Sequence, residues 1–570
     1  MKEFSKLLNL LNKREIFFLV IVFLLSFVVL SLETLGVATI PILFTKFISD
    51  GNIGQFEKIP EFFNIFTNML DSKKSLTIFI ISLFFFKSVF NYFHYVLEYI
   101  IIKRIRIRLI KNWIEEVLEQ DYLTIQKTPV SHKIWYMNLV DNVAGILSNL
   151  LNLFKGTVIC VSIFFIMIFF SPIDLIIFYL IILTSLILFY GLYSKKIVEY
   201  GKLVTLAQQG KIETLQSIFI GIKNLILYKK QSFFKNEFFN RNLIREKNLQ
   251  LSSLIGNIPN YFLEFIGVLF ICVYFLIVSG QNIPKSELIF NIGLVSYGSL
   301  RMLSYYKQIA SSFSLIKLRK FDLNTLADEI ITSRDIKRIK NKKNHLGNCN
   351  YNSNLTNDIA IKIQGLNFSF KNNALIKIQH YEFKTNKFYI IIGDSGVGKS
   401  TFLDLMLNII KSDKGQIDYS IDSRKIGYVS QECFLLNDTI RRNIAFGISE
   451  DLIDDKKIDD VINRVNLSDF INEYKEKENY KVTNNGSNIS IGQKQRIGIA
   501  RALYFEPDLI FFDEPTSSLD ETNEQLFLNT IDNIKKTSTV IMVTHKYKNI
   551  KNFDHLVELK NGNLVEKKLS

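Results

Sequence analysis

Cysteine is scarce in this chain. Cys160, Cys272, Cys349 and Cys433 are the only four in 570 residues, and no two have the spacing of a zinc site or a disulfide framework. Acid is short too: 54 Asp and Glu face 69 Lys and Arg, for a formal net charge of +15. No small-residue cleavage site follows the first apolar run, which is also too long for a signal peptide, so that run is expected to stay in place.

What is abundant is apolar. Hydrophobic residues make up 48% of the chain, concentrated before about Lys320, and the length exceeds one ordinary core. Six stretches each approach the roughly 20 residues that cross a bilayer. They are Ile16–Phe44, Leu76–Ile102, Gly145–Phe170, Ile173–Tyr193, Leu254–Val278 and Leu288–Ile309. Lys2, Lys6, Lys13 and Arg14 precede the first, which puts the N-terminus on the cytoplasmic side. Six crossings return the chain to that side. The positive charge then reads as loop bias rather than nucleic-acid binding, and no nucleic-acid partner is expected.

The loops after the second and fourth stretches are long and basic, with Lys103, Arg104, Arg106, Arg108 and Lys111, then Lys195, Lys196, Lys202, Lys211 and Lys223. Their length predicts helices that run on into the cytoplasm. The turns near Gln120-Asp121-Tyr122 and Ser217-Ile218-Phe219 are candidates for contact with a soluble domain. Between the first two stretches, Ile59, Phe62, Phe63, Phe66, Met69 and Leu70 predict a short amphipathic helix with Pro60 in its first turn. Phe321–Asp358 is polar and reads as a linker. The expected organisation is therefore a membrane domain over 1–320, a linker over 321–358 and a soluble domain over 359–570.

The soluble part carries the chemistry. Gly393-Asp394-Ser395-Gly396-Val397-Gly398-Lys399-Ser400-Thr401 sits between an apolar run and a helical stretch, the strand–loop–helix setting of a phosphate loop. Its backbone N–H groups turn toward phosphates, Lys399 adds a cation, and Ser400 offers a hydroxyl to Mg²⁺. Leu509-Ile510-Phe511-Phe512-Asp513-Glu514 is a buried-strand pattern that delivers Asp513 to Mg²⁺ and Glu514 to an attacking water.

Ile489-Ser490-Ile491-Gly492-Gln493-Lys494-Gln495-Arg496 resembles the signature of ATP-binding-cassette proteins, Leu-Ser-Gly-Gly-Gln, with Ile491 where the first glycine is usual. The resemblance covers the whole length. It implies the exporter type: a membrane all-α domain of six helices followed by an α/β phosphate-loop nucleotide-binding domain, using ATP and Mg²⁺. It also implies a homodimer in which Ser490 and Gly492 of one subunit face the γ-phosphate held by Lys399 of the other. Further positions match by resemblance. Gln431 matches the glutamine linking Mg²⁺ and water to the membrane domain, and His545 the switch histidine. Ser518-Leu519-Asp520 matches the loop joining the two sites. Phe370 matches the aromatic that stacks on adenine, with core packing as its rival reading.

Ser31-Leu32-Glu33-Thr34, Phe434-Leu435-Leu436-Asn437-Asp438, Asn443-Ile444, Phe446-Gly447 and Gly486-Ser487-Asn488 resemble bacterial flippases of lipid-linked oligosaccharides. That implies an inner-membrane protein handling an anionic, lipid-linked or amphiphilic substrate. The arginines of that family's cavity correspond here to Lys87, Asn260 and Arg301. Lys87, Glu98, Glu264 and Arg301 lie in apolar runs, where charge is costly. They are expected either to bind a headgroup or to pair with one another. Two other readings stay open: an exporter of another lipid, a peptide or a drug, and an ATP-gated regulator or channel. With no cysteine before Cys160, a peptide-processing protease domain is not expected.

Overall fold

The computed structural model describes residues 2–48, 72–170, 173–279, 285–330, 349–351, 353, 355–356, 358–370, 373–516 and 521–567. The short helix expected over Ile59–Leu70 lies outside them. The chain divides into two compact units. One comprises Met1–Gln120 and Thr124–Arg338; the other comprises Asp121–Leu123 and Ile339–Ser570.

Among the described residues, the chain from Lys2 to Leu318 is helical apart from short turns: α1 Lys2–Asn9, α2 Lys13–Ile48, α3 Lys73–Leu118, α4 Tyr122–Lys127, α5 Val130–Phe170, α6 Ile173–Ile220, α7 Ile222–Leu227, α8 Gln231–Ser279 and α9 Lys285–Leu318. Among the described residues, four helices, α2, α3, α5 and α8, are long and apolar enough to cross a membrane. The other two expected crossings fall on α6 and α9, both helical. α6 has 48 residues and α8 has 49, more than twice what a bilayer needs. Both helices run past the apolar stretches expected to cross, through the basic segments on either side of residue 220.

Large apolar side chains such as Phe85, Phe86, Phe265 and Leu276 point outward, as a lipid solvent permits. The interior holds two clusters. One joins α2, α3, α5 and α9 around Val37, Ile163, Leu294 and Val295. The other joins α1, α3 and α5 to Leu323 and Leu326, because residues 320–330 continue as helix. Asp322 sits in this continuation with no exposed surface and accepts from Thr205 at 2.5 Å and Asn142 at 2.8 Å. Burial raises its carboxyl above the usual range, against the pull of Thr205, Arg319 and Asn142.

Among its described residues, the second unit has two sheets. The smaller orders its strands β1 (Cys349–Asn350), β5 (Lys414–Tyr419), β2 (Ile359–Phe370) and β3 (Asn373–Lys384). The larger runs β10 (Asn563–Lys567), β9 (His555–Lys560), β4 (Phe388–Ile392), β8 (Thr539–Val543), β7 (Leu509–Asp513) and β6 (Ile426–Val429). All its pairings except β10 with β9 are parallel. Strands β4 and β8 are buried at every residue, as continuous apolar runs demand.

A tight approach fixes α6 against α9: a Cβ placed on Gly201 would lie 2.0 Å from the Leu318 carbonyl oxygen. Overpacking costs about 1–3 kcal/mol, and backbone cannot step aside as a side chain can. Gly201→Ala should lower the thermal midpoint of the detergent-purified protein. An unchanged midpoint would show that the two helices are not held this close.

Candidate functional site

The order β4-β8-β7-β6 sets four carboxyl ends side by side, and each ends in a predicted residue. The phosphate loop follows β4, His545 follows β8, Asp513 and Glu514 end β7, and Gln431 follows β6. Crevices at the carboxyl ends of parallel strands are where open α/β sheets bind ligands.

The loop turns through Gly396 at φ +82° and Gly398 at φ +103°, conformations a side chain would strain. Gly398 caps the helix Lys399–Met406. Ser400 and Thr401 thus open a helix whose free N–H groups favour an anion. Lys399 is buried, and its Nζ donates to the carbonyls of Gly393 at 2.9 Å and Asp394 at 3.0 Å. Ser395 and Val397 complete the loop, with the Val397 N–H donating to Asp394 at 3.3 Å.

Glu514 adopts φ +46°, a strained backbone for a residue with a side chain, held by its N–H bond to Val543 at 2.9 Å. The turn aims its carboxylate between two predicted partners. Gln431 Nε2 donates to Oε2 at 3.3 Å, and His545 Nε2 lies 3.2 Å from Oε1. Asp513 is next to it, its carboxyl pushed up by burial and by Glu514, with Lys399 pulling down. Asp404, which the sequence pattern does not single out, faces Asp513 from the helix Lys399–Met406. Burial and Asp513 together push it up to about 6.

No group of three or more His, Cys, Asp or Glu forms a metal site among the described residues. Ser400, Asp513 and Gln431 instead offer hard oxygen donors. Such a sparse set fits Mg²⁺, which takes one or two carboxylates and completes its shell with phosphates and water.

Ser490 and Gln493 are engaged with each other. Ser490 Oγ accepts from the Gln493 N–H at 3.2 Å, and Gln493 Oε1 accepts from the Ser490 N–H at 2.8 Å. This capping box begins the helix Ile491–Tyr504. Ile491 occupies its first helical position, 62% exposed and without a positive φ, so the backbone does not need the usual glycine; Gly492 follows. Behind the signature, Arg501 donates to the carbonyls of Phe434 and Asn443, both at 2.9 Å, and lies over Phe446 at 4.8 Å. The separate Phe434, Asn443 and Phe446 motifs thus converge on one side chain. Asp520 and its loop lie outside the described residues, as does the side chain of Phe370, whose backbone pairs with Asn373 at the end of β2.

In the helical unit, Lys87 and Arg301 come together, but not with the acids their spacing suggests. Both face Glu33 on α2: Lys87 Nζ is 2.6 Å from Oε2, and Arg301 Nε is 3.6 Å from Oε1. Glu98 accepts instead from Ser148 at 2.8 Å, and Glu264 pairs with Lys307 at 2.8 Å. Asn260 donates to Asn257 on its own helix at 3.0 Å, and its buried Oδ1 has no hydrogen-bond partner among the described residues. Lys155 on α5, 3.5 Å from Asn91, is a further interior cation. Glu33 and Lys155 both lie in apolar runs, a signal the sequence itself carries.

Two families match this chain. Residues 19–300 match the ABC transporter transmembrane region, and residues 376–517 match the ABC transporter family. A proposed export ATP-binding/permease protein of Rickettsia typhi is 32% identical over 323 residues, 54% of each chain. The ATP-dependent lipid A-core flippase of Francisella tularensis strain SCHU S4 is 31% identical over 219 residues, 37% of this chain and 36% of that one. The chain therefore spans about half or less of the curated relatives it matches. In fold, a bacterial Atm1-family ABC exporter with ATP bound superposes with a TM-score of 0.73, 16% identity, and coverage of 97% of this chain and 95% of that one. With a transmembrane domain and an ATP-binding domain on one polypeptide, the chain belongs to the ABC transporter family.

Proposed function

We propose that the chain is an ATP-driven exporter, acting as a homodimer in a bacterial inner membrane, that flips an anionic lipid-linked oligosaccharide such as a polyprenyl-diphosphate saccharide. The observation that carries the choice of substrate is the cation pair Lys87 and Arg301 inside the helical unit, where charge is expensive and marks a binding path. An anionic headgroup on an apolar tail suits such a site. The likeness to a lipid A-core flippase supports a lipid cargo and makes a phosphorylated glycolipid the second candidate.

The dimer reading has its own support. Phe219, Ile220, Ile226, Leu227 and Tyr228 cluster at the cytoplasmic turn of α6, α7 and α8, and all stand exposed. Contiguous apolar surface of that kind marks an interaction site. A capped signature helix presenting its N-terminus is likewise half of a site, since the phosphate loop it serves would be the partner's.

In this reading ATP binds the closed dimer better than the open one, and closure turns the membrane cavity outward. Lys399 and the loop N–H groups hold the phosphates. Glu514, oriented by Gln431 and His545, takes the proton of the attacking water, and hydrolysis resets the dimer. Ser400, Gln431 and Asp513 would hold Mg²⁺, which when bound supplies charge neutralisation at the phosphates.

In proteoliposomes, the wild type should translocate a fluorescent polyprenyl-diphosphate saccharide in an ATP-dependent manner. Glu514→Gln should still bind ATP while hydrolysis falls by roughly 10²–10⁴-fold; wild-type hydrolysis in that variant would reject Glu514 as the base. Arg301→Ala should abolish translocation while the protein stays folded and binds ATP. If it translocates normally, the cation pair is not the headgroup site. Ile491→Gly should raise hydrolysis at little cost in thermal midpoint, because the position is the exposed first residue of its helix rather than an interior one. A fall in rate would show that Ile491 contributes to the composite site.

A further inference from the structure

Lys87 and Arg301 are not equivalent. Lys87 on α3 is enclosed: its side chain is 7% exposed, Glu33 is 1% exposed, and their charged atoms are 2.6 Å apart. The Lys87 ammonium also lies over the Phe84 ring at 4.8 Å, and a Cβ on Gly36 would come within 3.6 Å of it. Arg301 on α9 is different. Its side chain is 35% exposed, its contact with Glu33 is longer at 3.6 Å, and its Nε donates to Tyr297 at 3.0 Å. Tyr305 lies beside the carboxylate. The triad is thus a close buried ion pair at 2.6 Å with a second, longer ion contact at 3.6 Å.

Charge attraction weakens with distance and with exposure to solvent. Glu33 is therefore bound tightly to Lys87 and loosely to Arg301. Of the two cations, Arg301 is the more exposed and holds the looser contact.

We propose that Arg301 is the cation that takes the headgroup, and that Glu33, pinned by Lys87, is a built-in anion competing for it. Lys87 then acts by holding the competitor, without touching the substrate. This rests on the anionic-headgroup reading above. The device sets a threshold for entry. A bilayer offers a large excess of phospholipids, most of which carry no more than one net negative charge, and an unguarded arginine would bind them. With Glu33 in place, only a headgroup of higher charge, such as a diphosphate, out-competes the carboxylate. Specificity of this kind comes from a repulsive element against the wrong ligand.

The test is binding of a fluorescent farnesyl-diphosphate analogue to the full-length protein in nanodiscs of zwitterionic lipid, with short-chain phosphatidylglycerol as competitor. Glu33→Gln keeps an acceptor for Lys87. The double variant Glu33→Gln with Lys87→Gln removes both buried charges, so folding can be checked by thermal midpoint in either. Both should bind the probe roughly tenfold tighter than the wild type and lose discrimination against phosphatidylglycerol, while Lys87→Gln alone should bind more weakly because Glu33 turns fully to Arg301. Wild-type affinity in folded Glu33→Gln and in the double variant would overturn the competitor role and leave the headgroup reading standing. Weak binding by Lys87→Gln that the double variant fails to recover would place Lys87 on the headgroup itself and overturn the division of roles. Absence of binding by the wild type and Glu33→Gln alike would remove the headgroup reading and this inference with it.

Discussion

The parallel alignment of β4, β8, β7 and β6 is the constraint on which the nucleotide site depends. Parallel strands all end on the same edge, so residues more than 100 positions apart in sequence reach one line. Lys399, Gln431, Glu514 and His545 lie at neighbouring strand ends because their strands are neighbours, and β4, β8 and β7 are held in place by continuous buried apolar runs. The positive φ of Glu514 is tolerated for the same reason. Its amide is tied to the end of β8, so the sheet absorbs a strain that an isolated loop would release.

The helical unit obeys a different rule. In an apolar solvent charge must find charge, and the helices that supply Glu33, Lys87 and Arg301 are α2, α3 and α9. Breaking a buried pair by removing one partner costs about 3–5 kcal/mol. The triad therefore works as a positional lock as well as a chemical feature. Its third member is held more weakly than its second, and that asymmetry leaves room for function.

Local patterns in the sequence carry much of this architecture. The phosphate-loop motif, the acidic pair after β7 and His545 are visible as local sequence patterns, and the fold sets them at neighbouring strand ends. The long helices are visible as apolar runs extended by basic segments. The pairing of Lys87 and Arg301 is not legible in the same way. Periodicity tells which residues share a face of one helix, but not which face meets which neighbour, so Glu98 and Glu264 look as suitable as Glu33. Asp404 and Arg501 are silent for a related reason: each matters through a partner distant in sequence, Asp513 for one and Phe434 with Asn443 for the other. The signature isoleucine is the reverse case. It looks like a defect against the family pattern, yet it sits at a helical position that asks nothing of glycine.

The length of the helices has a mechanical consequence. α8, with 49 residues, is about 74 Å of continuous helix, of which about 30 Å lies in hydrocarbon. On the six-crossing reading the rest would be a stiff rod outside the bilayer. A tilt of only about 10° about the membrane surface would carry the far end of a rod roughly 40 Å long through about 7 Å. A few ångströms of movement at the far end of α8 is thus geared down to a fraction of that at Gly256 and Glu264, which meet Ser314 and Lys307 of α9, the helix that carries Arg301. An interior contact poised within an ångström of its competitor is matched to a stroke of that size.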